Sequence, residues 1–128
     1  MSPLAERLRA ALEGRSDVVC AWLFGSQARG DAHEGSDVDV AVLRGRPRPR
    51  TLDDWPVELE AAVEEAVGSR VDLVLLDGAD SDLVHRVLRD GVLVVERDRA
   101  ARIAFEVFKR NEWFDLEPVR RRVRRLAP

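Results

Sequence analysis

Apolar residues recur at Leu4, Ala5, Leu8, Ala11 and Leu12, the three-and-four spacing of one helix face. Ser2 stands where an N-cap is wanted, Pro3 suits a first turn and Gly14 an end, so a short amphipathic helix is predicted over residues 2–13. The pattern then changes. Val18 to Phe24 is an unbroken apolar run bounded by Gly25, short enough for a buried strand rather than a helix. After a polar stretch, Val38, Val40 and Val42 alternate with Asp37, Asp39 and Ala41, and Leu43 closes what reads as a second strand.

Arg44 to Arg50, reading RGRPRPR, contains no apolar residue and predicts an extended exposed loop. It reads as a solvated connector or as an arm that reaches a phosphate or a partner. Leu52, Trp55, Leu59, Ala62, Val63 and Ala66 then suit a helix that ends near Gly68. Val71 to Leu76 supplies a third strand, which contains Asp72, and Leu83, Val84, Val87 and Leu88 mark a helix ending at Gly91. Val92 to Val95 fits a short strand. Ile103, Phe105, Val107 and Phe108 keep helical register until a break near Pro118, and five arginines crowd residues 120–125, so a helical C-terminal segment is expected over about 98–126. Strands alternating with helices imply an α/β or α+β layer structure.

Composition narrows the class. The 128 residues suit one domain, 1–128, and a content of 45% hydrophobic and 35% charged residues predicts a packed core under a heavily ionised surface. A net charge of -3 gives no general attraction to nucleic acid. No apolar stretch approaches the roughly 20 residues of a membrane span, and the N-terminus lacks the order of a signal peptide, so a cytoplasmic protein is expected. The lone Cys20 lies in an apolar run and reads as a core thiol.

The chemical signal is Gly25-Ser26, then Asp37-Val38-Asp39, then Asp72 a strand later. A glycine at a strand end permits a tight turn and close approach of an anion, and Ser26 adds a hydroxyl and can start a helix whose positive end faces phosphates. Asp37 and Asp39 project from one strand face with Cα atoms about 7 Å apart, and hard divalent cations take such oxygen ligands. Two metals about 3.5–4 Å apart can activate a hydroxyl and stabilise leaving pyrophosphate if carboxylates bridge them, with Asp72 as candidate for the third carboxylate. An aspartate inside an apolar strand costs free energy unless it is paired or metal-bound; a pair with Arg70 is the bland alternative. His33, in the polar loop, reads as solvated and His85 as a helix-surface residue; Trp22, Trp55 and Trp113 read as packing residues rather than base-stacking platforms.

LFGSQARGDAHEGSDVDVAVL resembles the signature of the DNA polymerase β nucleotidyltransferase superfamily, in particular its minimal members, the MNT proteins. The likeness continues through RVDLVLLD to RIAFEVFKRNEWFDLEP. The resemblance implies a polymerase β-like fold, a small mixed sheet flanked by helices, with Mg²⁺, two ions in all, and ATP at the strand ends. By it, Gly25 and Ser26 hold the triphosphate, Asp37 and Asp39 bind both metals and Asp72 orients the acceptor hydroxyl. Arg29 and Ser36 sit where these proteins often carry Arg and Ser, so a phosphate contact for Arg29 and a bond to the site for Ser36 stand beside structural roles.

Many MNT proteins are antitoxins of HEPN-domain ribonuclease toxins, and the resemblance implies an enzyme that transfers AMP from ATP to a tyrosine of such a toxin, with a toxin–antitoxin hetero-oligomer as a possible assembly. The sequence has no tyrosine, so any tyrosine acceptor lies on another molecule. Two other readings stay open: an antitoxin that acts by binding alone, with a vestigial metal site, and a small-molecule nucleotidyltransferase with a pocket made by dimerisation. The run RRRVRR reads as a solvated helix face or as a surface that steers an acidic partner.

Overall fold

Ser2 caps the first helix as its position predicts: its Oγ accepts the Ala5 N–H at 3.1 Å, a contact worth about 1 kcal/mol. Pro3 follows at the first helical position, and the helix α1 runs Pro3–Glu13 to Gly14. The computed structural model describes residues 2–30, 32, 35–45 and 55–126, the Trp55 side chain excepted. After α1 come β1 (Cys20–Phe24), α2 (Ser26–Arg29), β2 (Val38–Leu43), α3 (Trp55–Val67), β3 (Val71–Leu75), α4 (Ser81–Asp90), β4 (Val92–Glu96), α5 (Arg99–Asp115) and α6 (Glu117–Leu126). The described strands form one mixed sheet of order β3-β2-β1-β4. β2 and β3 run parallel, with Val38 opposite Val71 and Asp39 opposite Asp72. β1 lies antiparallel to both β2 and β4, with an irregularity between Ala21 and Trp22 on the β4 side.

The sheet is covered on both faces. Leu8, Leu12, Leu59 and Val63 of α1 and α3 pack with Val38, Val40 and Val42 on one side. On the other, Val84 and Val87 of α4 and Phe105 of α5 pack with Cys20, Trp22, Ala41 and Leu43. Fully burying aliphatic side chains of this kind contributes roughly 1.5–3 kcal/mol each. β1 and β2 are lined with buried residues on both faces, which is why Val18 to Phe24 lacks alternation.

β3 is an edge strand, and α3 blocks its free side. Glu64 accepts the Val71 N–H at 3.1 Å and Glu60 the Leu73 N–H at 3.2 Å, so two outward amides meet carboxylates rather than another chain.

α5 and α6 meet at Leu116, whose N–H donates to the Glu112 carbonyl at 3.1 Å. Pro118 sits in the first turn of α6, where a missing N–H costs nothing. The expected break is therefore a junction, and the arginine run is helical.

His85 departs from the surface position expected of it. It is half-buried, its ring stacked on Trp113 with centroids 3.9 Å apart and planes 7° from parallel. The Arg120 guanidinium lies 3.9 Å from the same indole, tying α6 to α5. Trp22 is a core residue, and the side chain of Trp55 lies outside the described residues.

Candidate active site

β1 ends by delivering Gly25 into a backbone region that side chains rarely adopt, φ +73°, and the chain turns at once into α2. The Gly25 carbonyl accepts the N–H groups of Ala28 at 3.2 Å and Arg29 at 3.1 Å. A Cβ on Gly25 would collide with the Asp39 carboxylate, so the glycine is required twice, by conformation and by space. Ser26 is the first residue of α2, where helical N–H groups lack intrahelical acceptors and suit an anion. Gly30, also left-handed at φ +79°, ends the turn.

Asp39 lies on β2 between two neighbours, opposite Phe24 of β1 and Asp72 of β3. Asp37 stands one residue before β2, and the Val38 N–H donates to the Arg70 carbonyl at 2.9 Å, which carries the β2–β3 pairing back to that point. Alternation places Asp37 and Asp39 on the face of Ala41 and Leu43, the one that α4 and α5 cover farther along. Asp39 is half-buried, whereas Asp37 and Asp72 are exposed. The exposure of Asp72 corrects the expectation of an aspartate isolated in an apolar strand: it sits near the start of an edge strand, in contact with solvent. Among the described residues no ion pair joins it to Arg70.

The Asp39 carboxyl is held above the usual carboxylate range, first by burial, then by the negative charges of Asp72 and Asp37, with Arg29 pulling the other way. The charges of Asp37 and Asp72 therefore both reach Asp39. Among the described residues no three His, Cys, Asp or Glu side chains are drawn together as a metal cage. The donor set is all hard oxygen, with the half-buried Asp39 in the middle. These residues fit Mg²⁺.

Ser36 is half-buried directly before Asp37. Arg29, exposed at the end of α2, acts through its charge on Asp39 and also on Asp90. Asp90 has no local signature in the sequence; it arrives beside Arg29 because α4 ends at Gly91, whose backbone lies against the Leu23 carbonyl. Its carboxyl is held low chiefly by Arg89, bonded through both oxygens at 2.9 Å.

The arginine-rich loop starts at the other end of the sheet. Asp77 accepts the Arg44 and Gly45 N–H groups at 2.7 Å each, which pins its root past the far end of β2 from Asp39. Residues 46–50 lie outside the described residues, as does His33. Cys20 is buried and its thiol is pushed up to about 12, chiefly by desolvation, so it is an inert core group. No helix among the described residues is long and apolar enough to cross a membrane.

Comparison with known proteins agrees with this fold. The family described as polymerase beta, nucleotidyltransferase, matches residues 6–100. A protein adenylyltransferase MntA of Thermococcus cleftensis is 38% identical over 77 residues, a match covering 56% of this chain and 70% of that protein. A protein adenylyltransferase MntA of Shewanella oneidensis is 40% identical over 73 residues, covering 55% of this chain and 48% of that longer protein. A solved toxin–antitoxin structure with AMP-PNP superposes with a TM-score of 0.75 at 27% identity, covering 93% of this chain and 94% of the other.

Proposed function

The chain belongs to the polymerase beta nucleotidyltransferase family, and from that premise we propose that it is an MNT-type antitoxin, a protein adenylyltransferase that moves AMP from ATP to a HEPN-domain ribonuclease toxin and so neutralises it. Residues 1–128 act as a single nucleotidyltransferase domain in this reading. The observation that carries it is the close approach of the Gly25 backbone to the Asp39 carboxylate, with Asp72 facing Asp39 from β3. The names of the two relatives and of the AMP-PNP structure support the same reading.

Each residue has a part. Gly25, having no side chain, lets the Asp39 carboxylate lie against the backbone turn that would hold the triphosphate, and Ser26 offers a hydroxyl and the first amides of α2. Arg29 supplies positive charge next to carboxylates that would otherwise repel a triphosphate. Ser36, half-buried directly before Asp37, is placed to bond the site. Asp37 and Asp39 would hold Mg²⁺, with Asp72 completing the ligand set and accepting the proton of the incoming hydroxyl. Bound Mg²⁺ supplies the Lewis acidity that neutralises charge on the transferring phosphoryl group and on departing pyrophosphate. The hydroxyl oxygen forms a bond to the α-phosphorus of ATP as the bond to the pyrophosphate oxygen breaks.

The acceptor is a protein in this reading because the two relatives are named protein adenylyltransferases. A substoichiometric amount of the protein, incubated with a HEPN toxin, ATP and Mg²⁺, should add about 329 Da per transfer, and the toxin should stay inactive after the antitoxin is removed. An unmodified but inhibited toxin at equimolar ratio would replace the enzyme with a binding module.

A further inference from the structure

α6 is amphipathic, and among the described residues no apolar side chain outside the α5–α6 junction covers its apolar side. Leu116 at its start, then Val119, Val123 and Leu126, recur at helical spacing and are 41%, 56%, 61% and 79% exposed. The helix touches the body mainly through the end of α5 and through Arg120, which lies over Trp113 and 3.8 Å from Asp82. A helix that merely bordered solvent would be polar all round; this one carries a continuous aliphatic stripe.

The surroundings of the stripe are cationic. Arg120 and Arg124 border it on one side, and Arg122 and Arg125 on the other. Glu117 already pairs with Arg120, Arg121 and Arg124 at 2.7, 3.2 and 3.0 Å. Arg122 and Arg125 have no acidic partner among the described residues. Leu116, Val119 and Val123 line a cleft of about 360 Å³ with Arg120 and Arg124, and Asp82 is its one acidic wall.

We propose that this stripe of α6 is a docking surface for a partner protein, and that the partner presents an amphipathic helix whose apolar residues are flanked by Asp and Glu. The apolar residues enter the cleft, and the flanking carboxylates meet Arg122 and Arg125. Apolar contact supplies affinity and the arginine border supplies orientation and selectivity. The surface lies on α6, apart from Gly25 and the carboxylates, so partner grip and nucleotide chemistry use different residues. The inference rests on the reading above that the acceptor is a protein.

Two synthetic helices of about 18 residues, with one leucine stripe and either Glu or Lys flanks, test it by calorimetry against the full chain. The Glu-flanked helix should bind at least about tenfold more tightly than the Lys-flanked one. Val119→Asp with Val123→Asp should abolish that binding, and Arg122→Glu with Arg125→Glu should shift preference toward the Lys-flanked helix, while Mg²⁺-dependent ATP binding stays unchanged in every variant. Binding indifferent to flank charge or to these substitutions overturns the proposal. So does self-association in sedimentation that Val123→Asp abolishes, which assigns the stripe to a second copy, or saturable binding to phosphatidylcholine vesicles containing phosphatidylserine in place of peptide. Failure of the parent chain to bind ATP, with helix binding intact, would instead remove the enzyme reading and leave the docking surface.

Discussion

Asp39 and Asp72 face each other across the parallel β2–β3 pair, on strands about 4.8 Å apart. Burial of Asp39, then the charges of Asp72 and Asp37, raise the Asp39 pKa. A carboxyl whose folded pKa exceeds its unfolded value weakens the fold as pH rises through the folded value, and imposes nothing below the unfolded value of about 3.8. Asp39→Asn should therefore raise the melting temperature of the metal-free protein at neutral pH, and the gain should vanish on acidification below about pH 3.8. Thermal melts from pH 3 to 8 in EDTA check this; a gain independent of pH would contradict it.

A divalent cation relieves the same repulsion. Mg²⁺ or Mn²⁺ should raise thermal stability and ATP affinity together, with about 2.7 kcal/mol of added stability at a ligand concentration 100 times Kd. Asp37→Asn and Asp39→Asn should lose the metal-dependent shift, and transfer should fall by orders of magnitude while the fold survives. Calorimetry that finds ATP binding unchanged by chelator would count against the site.

Gly25→Ala places a methyl group against the Asp39 carboxylate at a φ of +73°. A loss of about 1–3 kcal/mol in stability is expected from the backbone alone, and ATP binding should fall further than the remaining folded fraction explains. Isothermal titration at a temperature where the variant is fully folded separates the two effects.

Glu60 and Glu64 cover the outer amides of the strand that carries Asp72. Changing both to Ala should cost about 1–3 kcal/mol and expose the β3 edge to pairing with another chain. Denaturant melts should show the lower stability, and sedimentation should show concentration-dependent association absent from the parent; a monomer of unchanged stability would exclude this role.

Much of the molecule was legible in short stretches of sequence. Ser2, Pro3 and Gly14 bound α1 because a cap, a fixed φ and an end residue act within one helical turn. Gly25 and Ser26 announced the strand-to-helix turn, and the spacing of Asp37 and Asp39 put both on one face, since the period of a strand is local. The resemblance of LFGSQARGDAHEGSDVDVAVL to a nucleotidyltransferase signature was carried by the same residues, and the family match over residues 6–100 bears it out.

Tertiary structure decided what depends on which segments become neighbours. Asp72 faces Asp39 only because β2 and β3 pair in parallel in that register, and it is exposed because β3 is an edge, a fact that apolar flanking residues could not reveal. Asp90 reaches the charge of Arg29 because α4 returns to the strand end that holds Gly25. His85 is half-buried rather than a surface residue because α5 brings Trp113 over it, and α6 is held by Arg120 on the same indole, leaving its apolar stripe uncovered. Periodicity fixes which face of an element is apolar; only packing between elements distant in sequence fixes what, if anything, covers it.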